Sequence, residues 1–203
     1  MKRKLFIKGE NPEERAYIGW QDESLSLQGL KMGYKNSANE LVNIALEQGK
    51  KGRIDILDTY IFPILFLYRH SIEISLKHIY FRVYNELPDG GHDLLTIWGM
   101  INNKIFKYLS DADNIRNLNK IMGTNKQIFF ISESEKNKIK DILKELQGKD
   151  YHNEIWRYLL KRDGNLYFNE WRDIDYNNLR DTFNWLYDEL DGLYCYIDSI
   201  LSV

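Results

Sequence analysis

Residues 60–81 read YIFPILFLYRHSIEISLKHIYF, with only Arg69, Glu73 and Lys77 charged and with His70 and His78 beside them. On a helix with His70 set at zero, Glu73 falls at about −60°, Lys77 at about −20° and Arg69 at about −100°. The four polar groups therefore share one stripe with Phe62, Phe66 and Tyr80, while Ile61, Leu65, Ile72, Leu76 and Ile79 take the opposite side. A helix that is apolar on both sides is covered on both, which places this one at the centre of a compact helical bundle. Charges inside it are costly unless they find partners. Arg69, Glu73 and Lys77 stand at four-residue spacing and can form a ladder of ion pairs. A short loop then leads to Gly91-His92-Asp93-Leu94, so Arg69, Glu73 and His92 are expected to meet, with Arg157 or Tyr158 nearby.

Outward from this helix the pattern stays helical. In residues 30–47, Leu30, Tyr34, Ala38, Leu41, Ile44 and Ala45 recur every three or four positions, and basic residues and glycines at 49–52 close the helix. The central helix is expected to start with Asp55 or Asp58 as N-cap and to run to about residue 86. Pro63 then sits in its first turn or at a kink. Leu87-Pro88-Asp89-Gly90-Gly91 reads as a turn, His92-Asp93 as a cap, and residues 94–109 as the next helix. A short helix over 111–122 follows, then a capping box, Ser132 with Glu135, opens another. The last helix covers 177–201.

Residues 153–170 break this habit. Aromatic and apolar runs flank Lys161-Arg162-Asp163-Gly164, a hairpin signal, so a small β-hairpin insertion is expected in an otherwise mainly α domain. The domain spans 1–203, with 1–28 an irregular arm. No repeat or low-complexity segment is present.

The chain has 203 residues, 43% hydrophobic and 14% aromatic, which suffices for a folded core. A net charge of −2 argues against a duplex-DNA binder, though RNA contact through a local basic patch stays open. The basic start, MKRKLFIK, reads as a solubilising tail. The single Cys195 excludes an internal disulfide or a cysteine-based zinc site, and it is expected to be a buried thiol. With neither a secretory leader nor an apolar run of spanning length, the chain is expected to be cytoplasmic and free of the membrane.

Three residues are candidates for chemistry: His70 or His92 as general acid or base, and Arg69 as the stabiliser of a phosphate-like charge. Set against this is a purely structural role, in which Arg69, His70 and Glu73 tie the helix to His92 and the hairpin. No metal-ligand spacing is present, and no cofactor is expected. Trp156, Arg157, Tyr158, Tyr167, Phe168 and Trp171, interleaved with Arg162 and Arg172, either stack on single-stranded RNA or pack the hairpin onto the bundle. The acidic balance favours packing.

Arg69-His70-xx-Glu73-xxx-Lys77, Gly91-His92-Asp93-Leu94 and Arg157-Tyr158 resemble one branch of the HEPN superfamily over residues 30–200. These are helical domains of prokaryotic toxin-antitoxin, abortive-infection and phage-conflict systems. The resemblance implies an antiparallel helical bundle that often dimerises and, in active members, a metal-independent endoribonuclease. Active members carry Arg, four to six residues, then His. Here none of His70, His78, His92 and His152 has an Arg at that distance, so the cleavage motif does not carry over. The expectation is a non-catalytic or divergent module of a defence or toxin-antitoxin system, forming a homodimer and acting through protein partners. A metal-independent endoribonuclease is the first alternative, and a nucleotide or small-molecule sensor the second.

Overall fold

The computed structural model describes residues 5, 9–18, 22–121, 131–149, 155–158, 160–161, 163–167 and 173–202. After a 3-10 turn at Pro12–Glu14 come α1 (Glu23–Lys50) and α2 (Ile54–Tyr84), a long antiparallel helical hairpin. Next, α3 (Leu94–Met100) runs through a π-helical turn, Ile101–Phe106, into α4 (Lys107–Ser110). The shorter α5 (Ala112–Ile121), then α6 (Glu133–Lys149) and α7 (Tyr176–Leu201) complete the described elements.

The apolar stripe of residues 60–81 puts α2 in the middle, packed on α1, α7 and the α3 segment, while α6 covers α3. Leu65, Ile72, Leu76 and Ile79 of α2 meet Ala38, Val42 and Ala45 of α1 and Phe183, Leu186 and Leu190 of α7 in one core. The bundle is not wholly antiparallel. Tyr68 stacks on Phe183, His78 on Tyr194, and Arg82 pairs with Asp198, so residue numbers rise together along the two helices. Thus α7 runs parallel to α2, and the chain between them returns to the starting end of α2 before α7 begins.

Several boundaries differ from the sequence expectation. The N-terminal arm is shorter than 1–28, because Asp22 accepts a hydrogen bond from the Leu25 amide at 2.8 Å and starts α1 there. On α1 the buried stripe is Lys31, Ala38, Val42 and Ala45, whereas Leu30 and Ile44 are exposed. Neither Asp55 nor Asp58 caps α2. Its N-cap is Arg53, which makes no side-chain cap and instead grips Asp55. Gly52, at φ 80°, makes the left-handed turn that starts α2 so early. Pro63 consequently lies inside α2, where it has no N–H to offer the preceding turn.

The capping box forms as read: the Glu135 carboxylate accepts from the Ser132 amide at 2.8 Å, and the Ser132 hydroxyl accepts from the Glu135 amide at 3.2 Å. Cys195 is exposed rather than buried.

The β-hairpin does not form as expected. Among the described residues, 153–170 hold one isolated antiparallel bridge, Leu160 to Leu166, closed around Gly164 at φ 84°. Leu160 and Leu166 are both exposed, so neither draws the pair onto the core, and two strands alone are marginal in water. His152, Arg162, Phe168, Trp171 and Arg172 lie outside the described residues. No described helix is long and apolar enough to cross a membrane.

Candidate functional site

Three of the singled-out side chains, Arg69, Lys77 and His92, meet around a fourth, Glu73. The Arg69 guanidinium, fully buried, donates to one Glu73 oxygen at 3.1 Å. Lys77 donates to the other at 2.7 Å, and His92 Nδ1 lies 2.9 Å from that same oxygen. The second Arg69 terminal nitrogen donates to the His92 carbonyl at 2.9 Å. Arg69 thereby bridges a side chain of its own helix and the backbone of the loop before α3.

The loop reaches this position because Gly90 and Gly91 adopt φ of 118° and 59°, which L side chains rarely take. A Cβ on Gly90 would also stand 3.0 Å from the Thr96 methyl. Asp93 then caps α3 by accepting from the Thr96 amide at 2.8 Å, and Gln147 of α6 accepts from the Leu95 amide at 2.9 Å. Two helices therefore hold the loop that carries His92.

Burial pushes the Glu73 carboxyl upward. The hydrogen bond and charge of Lys77 and the contact with His92 outweigh it, and the net shift is downward. Glu73 is therefore an ionised, almost fully buried carboxylate with cationic neighbours on several sides. The His92 ring is 54% exposed.

His70 is adjacent in sequence but belongs to a different setting. Its ring stacks on Phe66 at 5.7 Å and meets the edge of Tyr34 at 4.7 Å. Its Nδ1 is buried with no hydrogen-bond partner, and burial lowers its pKa, so the ring is neutral and apolar in company. Arg157 and Tyr158 are exposed; the Arg157 guanidinium lies 5.9 Å from the Phe66 ring and 5.2 Å from that of Tyr158.

A second polar cluster escaped the sequence reading. Lys31 is fully buried and pairs with Asp191 at 2.6 Å, its ammonium 4.7 Å from the Tyr194 ring. Tyr194 stacks on His78 at 3.9 Å, and His78 Nε2 and the Tyr194 hydroxyl both reach the Ser24 hydroxyl, at 3.1 and 3.2 Å. Burial lowers the His78 pKa to about 4. The available signal was a lysine in phase with Ala38, Val42 and Ala45. Among the described residues no group of three or more His, Cys, Asp and Glu side chains stands close enough to hold a metal ion.

Comparison with protein-family models, with curated proteins and with solved structures finds no match in any of the three.

Proposed function

We propose that this chain is a HEPN-like helical module of a bacterial or phage defence or toxin-antitoxin system, non-catalytic, homodimeric and acting through protein partners. The observation that carries the non-catalytic reading is the burial of Arg69. Its guanidinium is spent on Glu73 and the His92 carbonyl, with no exposed surface to meet a scissile phosphate. His70, set among aromatic rings and held neutral, supports the same reading. The Glu73 centre then organises the fold, tying α2 to the start of α3. The placement in a defence system rests on the resemblance of the residues around Arg69, His92 and Arg157.

One observation favours a second reading, a metal-independent endoribonuclease. A buried carboxylate on Nδ1 of a half-exposed imidazole orients that ring as a general base is oriented. Total RNA incubated with wild type, His70→Ala and His92→Ala in the presence of chelator decides between them. The interaction module is expected to leave RNA intact in all three. Chelator-resistant cleavage leaving a cyclic phosphate, and falling roughly 10²–10⁴-fold in His92→Ala, would establish the nuclease instead.

A further inference from the structure

A wedge-shaped cavity of about 330 Å³ opens where the last turns of α2 and α7 meet the π-helical turn and α4. Its walls are Val83, Ile105, Leu109, Ile197, Ile200 and Leu201, and Tyr84, Tyr108 and Lys104 stand with them in its lining. The volume falls in the range of small-molecule sites, and an apolar wall with one polar anchor is the usual chemistry of such sites. The π-helical turn supplies Lys104 and Ile105, and turns of this kind recur at functional positions.

Lys104 is the anchor. Its ammonium donates to the Tyr80 hydroxyl at 3.0 Å and lies 5.4 and 5.5 Å from the ring centres of Tyr80 and Tyr84. A lysine so held beside an apolar cavity presents a fixed positive charge at little further cost in side-chain entropy. The Tyr80 hydrogen bond raises its pKa, and Glu86 adds a smaller push in the same direction. Arg82, on the same turn of α2, is already paired with Asp198 and bonded to Ser202. Among the described residues, Lys104 is the one cation that lines this cavity.

We propose that this cavity binds a small amphiphile with a short aliphatic body and a single anionic head, the body against Ile105, Leu109, Ile197 and Ile200 and the head on Lys104. A long-chain lipid would outgrow the volume. A neutral aliphatic molecule would gain nothing from the ammonium.

Octanoate and octan-1-ol are the probes, followed by the methyl NMR shifts of the full chain. Octanoate is expected to saturate with a Kd of roughly 0.1–1 mM, moving the methyls of Val83, Ile105, Leu109, Ile197, Ile200 and Leu201. Octan-1-ol should bind roughly 3–5-fold more weakly, the share of an exposed ion pair. Lys104→Met should abolish that difference while leaving octan-1-ol affinity unchanged. Leu201→Trp, at an exposed position, should fill the wedge and remove binding of both probes without lowering the melting temperature. Equal binding of both probes by wild type, shifts spread outside the wedge, or no saturable binding would overturn the assignment. So would a wedge already filled by a second copy, seen as dissociation of a dimer in Leu201→Trp.

Discussion

Arg69 and His92, 23 positions apart, are joined by a hydrogen bond from a guanidinium nitrogen to a backbone carbonyl, 2.9 Å long and largely out of water. The bond uses the carbonyl of His92, so the identity of that side chain does not govern it. The imidazole makes a separate contact, to Glu73 at 2.9 Å. The loop is thus held twice, once through the main chain and once through the ring.

This arrangement sets what Glu73 is worth. Glu73→Ala removes the carboxylate shared by Arg69, Lys77 and His92, and with it an ion-pair partner of a fully buried guanidinium. The expected loss is about 3–5 kcal/mol in chemical denaturation. His92→Ala, which keeps the carbonyl and loses only a half-exposed ring, should cost about 1 kcal/mol or less. Equal losses in the two variants would show that the ring, not the main chain, holds the loop.

Lys31 and Asp191 offer a parallel test between α1 and α7. Asp191→Ala strands a fully buried ammonium and should destabilise by about 3–5 kcal/mol. Lys31→Met combined with Asp191→Ala should recover much of that loss, since the lysine then no longer needs a partner. A double variant as unstable as Asp191→Ala alone would mean that the pair holds the helices by packing and not by charge.

Stability should fall in mild acid because of His78. Its pKa is about 4 in the folded chain and near the ordinary 6.5 when unfolded, so between those values the unfolded state binds more protons. Stability is therefore complete above pH 6.5 and is lost as pH falls towards 4, by up to about 3 kcal/mol. His70, also lowered by burial, acts with the same sign. Glu73, held below its usual 4.5, adds a further loss at lower pH as it becomes protonated. Urea midpoints measured across this range should show the slope in wild type and a shallower one in His78→Gln.

The proposed homodimer is checked by sedimentation at micromolar concentration, where twice the chain mass is expected. The aromatic face of α7 is not free for it: Tyr187 and Leu190 are buried in the chain's own core, and Lys138 lies 3.8 Å from the Trp185 ring centre. Exposed Leu25, Leu30, Met32 and Ile44 on α1 remain as apolar surface. A monomer at that concentration would rule the assembly out.

What the sequence determined by itself is local and periodic. The two-sided apolar pattern of residues 60–81 dictates a covered central helix, and Asp93 and the Ser132–Glu135 pair mark helix starts through bonds spanning three residues. The ladder of Arg69, Glu73 and Lys77 follows from four-residue spacing alone. Tertiary structure decided the rest: that α7 lies parallel to α2, that Lys31 and not Leu30 enters the core, that His70 faces aromatic rings while its neighbour Arg69 meets Glu73, and that the Asp-Gly turn closes a single bridge. The physical reason is range. Periodicity states which face of a helix avoids water, whereas the partner of a buried charge is chosen by the packing of helices far apart in the chain, where the rotation of α1 about its axis decides whether a leucine or the lysine beside it enters the core.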